Sequence, residues 1–218
     1  MRPVKSYIRT ILNESLLDDD DVFYNPENDK KEIEKWIRNN YNIVGKLTIS
    51  DDFVVNCSGD VTIKNRNMES LTNGLFRWGR IGRRFYCSHC AIASLEGGPK
   101  EVMNSFDCSD CHNLKSLEGA PKAVGIHFWC NACEELESLE GAPENVGGSF
   151  DCTGCDKLTS LEGSPKSVAG YFNCSYCGGL TTLKGAPKVV GGCLYCKRCK
   201  NLKIVDSERK KYKIRDLM

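Results

Sequence analysis

Cysteines are the residues of this chain whose number and spacing most clearly suggest chemistry. Of its 14 cysteines, 12 form six Cys-x-x-Cys pairs, which begin at residues 87, 108, 130, 152, 174 and 196. Serial pairs of this kind are typical of four-thiolate zinc sites, where the metal contributes folding energy directly. The spacing therefore raises the hypothesis of a zinc-stapled structural module.

The surroundings of each pair favour a different interpretation, in which the thiols are core residues. An aromatic or aliphatic residue precedes each first cysteine by two positions, so both would lie on one face of a strand. A degenerate earlier copy has Ile63 and Arg66 at the two cysteine positions, and an apolar substitute suits a core position but not a metal ligand. Free cysteine behaves as a small buried hydrophobe. We therefore expect no metal and no cofactor, and zinc binding is the alternative.

Disulfide and redox chemistry fit the pattern less well. Three residues of extended chain span about 10 Å, beyond the roughly 7 Å between the Cα atoms of a disulfide, so an extended Cys-x-x-Cys could not close on itself. Cysteines in neighbouring coils, about 4.8 Å apart, could be bridged. The N-terminus lacks the uninterrupted apolar run of a signal peptide. We therefore expect a cytoplasmic location, where thiols stay reduced.

A repeat of 22 residues must position these cysteines. Ser94-Leu95-Glu96-Gly97 recurs with little change at residues 116, 138, 160 and 182, and each copy continues with a proline and a valine. The alternation of apolar and polar residues from Phe150 to Cys152 predicts a strand. A period of this length is too short for helix-pair repeats but lies within the range of leucine-rich repeats.

The pattern resembles the leucine-rich repeat over roughly residues 59–205. Phe150 and Cys152 match the two inward strand positions, Cys155 matches the asparagine-or-cysteine position, and Leu158 and Leu161 match the later apolar positions. The units are similar to short repeats of secreted bacterial effectors. They are more similar still to the serial Ser-Leu-Glu-Gly-Ala-Pro units of bacteriophage and gut-bacterial repeat proteins. The resemblance implies a mainly β, leucine-rich-repeat-like solenoid with one parallel sheet, an irregular convex side and an N-terminal α-helical cap.

Four segments are predicted along the chain. They are a helical tail ending in an acidic run (1–24), a helical N-terminal cap (25–44), the solenoid of about seven coils (45–205) and a charged C-terminal cap (206–218). The cap helix is indicated by Pro26 and by an apolar stripe, Ile33, Trp36, Ile37 and Tyr41. Before the repeat, residues 46–49 and 53–55 are predicted to add one or two strands.

The residues between the inward phenylalanines and cysteines are expected to point outward, onto a concave sheet surface. An exposed tryptophan among tyrosines is the composition of a protein-binding hot spot. We therefore predict that the chain binds a partner protein on this surface. The predicted contact residues are Tyr86, Asp107, His127, Trp129, Asp151, Tyr171, Asn173 and Tyr195.

Other classes of function find less support in the sequence. The formal net charge of +1 argues against a nucleic-acid partner, since duplex-binding proteins usually carry a basic excess. No apolar run approaches the roughly 18–20 residues of a membrane span. Asp107 and Asp151 could do acid/base work, but no nucleophile accompanies them. The expected function is therefore non-enzymatic, and the sequence leaves the partner and the oligomeric state open.

Overall fold

The structure is a computed structural model that describes residues 26–215. The predicted helical tail with its acidic run, residues 1–24, lies outside the described residues. The described chain is a mainly β parallel solenoid with few helices, which confirms the predicted fold class. Neither helix in this range has the length and apolar character needed to cross a bilayer.

A helix covers the start of the solenoid, as predicted. Helix α1 spans Pro26–Asn40 and is followed directly by the first strand. Ile33, Ile37 and Tyr41 are almost fully buried, because this face of the helix packs on the first coil. The Tyr41 hydroxyl donates a hydrogen bond of 2.5 Å to the carbonyl of Leu71. This bond gives the buried hydroxyl a partner and ties the helical cap to the repeat.

Two antiparallel pairs begin the sheets. Strand β1 (Tyr41–Ile43) runs antiparallel to β4 (Val61–Ile63), and β2 (Leu47–Ile49) runs antiparallel to β3 (Val54–Cys57). Strands β2 and β3 are the two that the sequence predicts ahead of the repeat. All later pairs in both sheets, within residues 26–215, are parallel.

Each subsequent coil contributes one short strand to each of two sheets. The first, here the Phe sheet, continues with β6 (Phe85–Tyr86), β8 (Phe106–Asp107), β10 (Phe128–Trp129), β12 (Phe150–Asp151), β14 (Phe172–Asn173) and β16 (Leu194–Tyr195). The second, here the Val sheet, continues with β5 (Arg77–Ile81), β7 (Glu101–Val102), β9 (Ala123–Val124), β11 (Asn145–Val146), β13 (Ser167–Val168) and β15 (Val189–Val190). Neighbouring strands of one sheet are 21 to 24 residues apart in the chain.

The Val sheet differs from the sequence analysis, which predicted a single sheet and an irregular convex side. The segment after each proline forms a two-residue strand, as at Asn145–Val146, with its valine buried. Its backbone N–H groups bond to the preceding coil, for example Gly147 N to the Val124 carbonyl at 3.1 Å. A strand is recognised from sequence by apolar and polar residues that alternate over four or more positions. A two-residue strand is too short to show this alternation, so the sequence does not predict the Val sheet.

Phenylalanines and leucines stack through the interior. The rings of Phe106, Phe128, Phe150 and Phe172 follow one another with centroid distances of 5.1–5.3 Å and are fully buried. The leucine or isoleucine two positions before each Ser-Leu-Glu-Gly corner and the leucine within the corner are buried as well. Stacking successive coils therefore forms one continuous apolar core, as expected for a solenoid.

The Glu-Gly corner requires glycine. Gly119, Gly141 and Gly163 have φ between +82° and +92°, a conformation that other residues adopt only with strain. A Cβ on Gly141 would lie 2.4 Å from the backbone of Leu117 in the preceding coil. The repeated glycine therefore permits both the turn and the close approach of neighbouring coils.

The C-terminal end closes one sheet more fully than the other. After the last coil, helix α2 (Asp206–Lys211) leads to strand β17 (Ile214–Arg215), which pairs with β16 at the edge of the Phe sheet. The Tyr212 hydroxyl donates to the carbonyl of Pro187 at 2.9 Å. The Val sheet ends at β15, where Val189 is 56% exposed.

Candidate functional site

The outward face of the Phe sheet carries the predicted contact residues in two columns. The parallel register aligns the central column, which consists of Tyr86, Asp107, Trp129, Asp151, Asn173 and Tyr195. His127 and Tyr171 belong to the flanking column, two residues earlier on their coils. Most of these side chains are half-buried, and Tyr171 is exposed. The face therefore presents a different side chain at nearly every coil.

Carboxylates and an amide of the central column support the backbone. Asp107 Oδ1 accepts a hydrogen bond from the N–H two residues later at 2.9 Å, and Asp151 and Asn173 repeat this contact at 2.9 and 3.1 Å. Asp151 Oδ2 also accepts from the Asn173 amide at 3.1 Å. Both carboxylate oxygens of Asp151 thus accept hydrogen bonds from within the chain. Asp107 Oδ2, in contrast, has no hydrogen-bond donor among residues 26–215.

Aromatic side chains form contacts along the same face. The rings of His127 and Trp129 are stacked with centroids 5.3 Å apart, and those of Tyr171 and Tyr195 meet edge-on at 5.9 Å. Burial raises the pKa of Tyr171, and the nearby carboxylate of Asp151 adds to this effect. His127 Nδ1 accepts the backbone N–H of the next coil at 3.1 Å, which holds its ring in place. These contacts keep the rings ordered and partly accessible.

A shallow cavity of about 620 Å³ lies beside these aromatics. Its lining includes four of the predicted contact residues: Asp107, Trp129, Asp151 and Asn173. Tyr86, His127, Tyr171 and Tyr195 lie outside this lining, so the structure does not gather all eight residues into one concavity. The face therefore combines a polar groove, which Trp129 lines, with the two aromatic pairs His127–Trp129 and Tyr171–Tyr195.

Eight further residues of the groove were missed by the sequence analysis. Four of them directly follow the first cysteine of their pair, and these are Ser88, Ser109, Asn131 and Thr153. The Ser109 hydroxyl donates to Asn131 Oδ1 at 2.7 Å across neighbouring coils. The alternation that identifies the central column would have identified these residues too, if it had been continued to the next outward position.

The cysteine thiols point into the core and donate hydrogen bonds to backbone carbonyls. Among first cysteines, Cys130 Sγ donates to the Asp151 carbonyl of the next coil at 3.4 Å. Among second cysteines, Cys155 Sγ donates to the Cys130 carbonyl of the preceding coil at 3.3 Å. The second contact recurs down the column at 3.0–3.3 Å. Each of these thiols therefore provides a hydrogen-bond donor to a backbone carbonyl at the end of a strand, where the chain begins its turn.

The Cys-x-x-Cys segments are turns, which corrects the extended geometry assumed from the sequence. The residue before the second cysteine has a left-handed backbone in every pair, with φ of 55–73°. These residues are His89, Asp110, Ala132, Gly154, Tyr176 and Arg198. The turn lets both thiols of a pair face the interior, so the distance argument against a bridge within the pair does not apply. All 14 cysteines are free thiols in the structure.

Burial makes most of the core thiols poor nucleophiles. It raises the pKa of Cys87, Cys108, Cys130 and Cys174 well above the ordinary value of a thiol. At the less buried ends of the columns, burial raises the pKa of Cys90 and Cys199 to about 11. Since the thiolate is the reactive form, these groups are suited to packing.

The zinc alternative finds no ligand cluster in residues 26–215. No group of three or more His, Cys, Asp or Glu side chains there has an arrangement that could hold a metal ion. His89 Nε2 lies 3.7 Å from Asp110, and His112 Nδ1 lies 4.0 Å from Glu134, both on the surface. Metal analysis of the purified reduced protein tests the alternative, which requires about three zinc ions per chain for six thiol pairs.

A comparison of the chain with protein-family models, with curated proteins and with solved structures finds no match. Any functional assignment must therefore come from the residues themselves.

Proposed function

We propose that this chain is a non-enzymatic protein-interaction scaffold that binds a partner protein on the outward face of the Phe sheet. The observation that supports this most is the two aromatic pairs, His127 with Trp129 and Tyr171 with Tyr195, on the face that carries a groove of about 620 Å³. Tryptophan and tyrosine dominate interface hot spots because they bury large surfaces at low conformational cost.

Rigidity of the scaffold supports the same proposal. The central column stands on parallel strands whose inward side chains are fully buried, as Phe128 and Cys130 are around Trp129. A preorganised surface loses little conformational entropy on binding, so more of the contact energy becomes affinity.

We also propose a cellular location for the protein, namely the reducing cytoplasm, in which unpaired thiols persist. Its assignment as a leucine-rich-repeat protein encoded by a bacteriophage and acting in a bacterial host rests on the resemblance of its Ser-Leu-Glu-Gly-Ala-Pro units.

The test compares capture of a specific partner from host lysate by the native protein and by two variants. We expect Trp129→Ala and Tyr195→Ala each to weaken binding of the purified partner by at least tenfold, since hot-spot truncations cost about 2 kcal/mol or more. Met103→Ala is the matched control, because Met103 is 45% exposed on the outward side of the Val sheet. Unchanged binding by both aromatic variants would exclude this face as the interface.

A further inference from the structure

Charge is distributed very unevenly along this chain. Residues 184–215 contain 11 lysines and arginines and two acidic residues, whereas residues 1–183 contain 19 and 26. The net charge of +1 for the whole chain therefore conceals a strongly basic C-terminal end. The near-zero charge of the whole chain therefore does not count against a nucleic-acid partner at this end.

Most of these cations face solvent. Lys188, Arg198 and Lys200 are exposed, and Lys197 is half-buried. Lys184 forms an ion pair with Glu162 at 2.8 Å. No carboxylate of residues 26–215 lies within 4.0 Å of the ammonium groups of Lys188, Lys197 or Lys200. Unpaired surface cations are available to phosphates, whose binding is favoured by release of condensed counterions.

Aromatic rings lie among these cations in the last two coils. Tyr176 is 51% exposed, and the guanidinium carbon of Arg198 in the next coil lies 5.8 Å from its ring centroid. Tyr195 contacts Tyr171 edge-on and is paired in register with Arg215 of the final strand. A basic surface interleaved with aromatic platforms is how proteins bind single-stranded nucleic acid without sequence preference.

We propose that residues 171–215 form a binding surface for single-stranded nucleic acid. Bases stack on Tyr176 and on the Tyr171–Tyr195 pair of the same two coils, and phosphates lie along Lys197, Arg198 and Lys200. A duplex keeps its base faces stacked and cannot use these rings, and an acidic protein segment would engage the cations alone. This surface shares Tyr171 and Tyr195 with the proposed partner-binding face, but its test variants lie at Tyr176, Lys197 and Arg198, so the two proposals can fail separately.

The test measures binding of labelled oligo-dT and oligo-U, each about 20 nucleotides long, to the full chain by fluorescence anisotropy. Comparison probes are a duplex of the same length and a polyglutamate peptide. We expect both single strands to bind at least tenfold more tightly than either comparison probe. The logarithm of the association constant should fall linearly with the logarithm of salt concentration, by about 0.7 per phosphate contact.

Charge-reversal variants locate the surface. Lys197→Glu with Arg198→Glu should weaken single-strand binding by about tenfold or more, because two phosphate contacts become repulsive. The matched control, Lys115→Glu with Lys122→Glu, changes the net charge equally on earlier coils and should alter affinity less than about twofold. This pair separates a local surface from a general effect of charge.

The stacking contribution is tested at Tyr176. Tyr176→Ala should weaken binding about tenfold, whereas Tyr176→Phe should retain it, because stacking requires the ring and not the hydroxyl. Alanine is compatible with the fold here, since Ala132 has the same left-handed conformation in an earlier coil. Equal affinity for polyglutamate, equal losses in the two double variants, or no detectable single-strand binding would each overturn the proposal.

Discussion

The inward and outward faces of the Phe sheet belong to the same strands but differ in how much their residues vary from coil to coil. Inward positions repeat almost without change, with four phenylalanines stacked at 5.1–5.3 Å and thiols in register beside them. Outward positions change at nearly every coil, so that Asp107, Trp129 and Asp151 are neighbours in one column. The pleat therefore separates the residues that specify the fold from those free to specify a partner.

The largest effect is expected from the inward side. Phe150 is fully buried between the rings of Phe128 and Phe172. Phe150→Ala should lower the free energy of unfolding by about 3–5 kcal/mol, from lost burial and the remaining cavity. Phe150→Leu should cost less, because Leu194 occupies the equivalent position in the last coil. Urea unfolding provides both values, and a loss under about 1 kcal/mol for the alanine variant would contradict the stacked core.

A smaller effect distinguishes two cysteines of the same column. Cys155 donates to a carbonyl of the preceding coil, whereas Cys90 follows the degenerate copy and donates to the carbonyl of Ser88 within its own turn. Cys155→Ala should cost about 1–3 kcal/mol, since it leaves a buried carbonyl without a donor. Cys90→Ala should cost less by the same measurement. Equal costs would show that inter-coil thiol bonds contribute nothing beyond packing.

The smallest effect on stability is expected at the centre of the outward face. Trp129 is half-buried, and its main ring contact is with His127. Trp129→Ala should change the free energy of unfolding by no more than about 1 kcal/mol, as surface substitutions usually do. A change comparable to that of Phe150→Ala, measured by urea unfolding, would mean that the outward ring is part of the structural core.

Much of the fold could be predicted from the sequence because each coil repeats the same physical requirements. The 22-residue period and the alternation of apolar and polar residues predict the Phe sheet, and the apolar stripe that includes Ile33 and Ile37 predicts the cap helix. The Val sheet was missed because its two-residue strands depend on hydrogen bonds between coils, which no local pattern reveals.

The turns inside the cysteine pairs were missed for a different reason. Their left-handed position is held by a residue other than glycine in five of the six pairs, for example Asp110, Ala132 or Tyr176, so the usual glycine signal is absent. At the candidate site, alternation identified the outward columns. Only the structure shows that Asp107 and Asp151 already bond to the backbone, and that four of the eight predicted residues line the groove.

The inward placement of the thiols fixes the direction of every outward residue on the Phe sheet. Alkylation of the native protein at pH 8, mapped residue by residue, tests that placement. Cys193 and more slowly Cys199, the two partly exposed cysteines, should be modified, and the other 12 should stay protected until the chain unfolds. Modification of Cys130, Cys152 and Cys155 in the folded protein as fast as Cys193 would contradict the account.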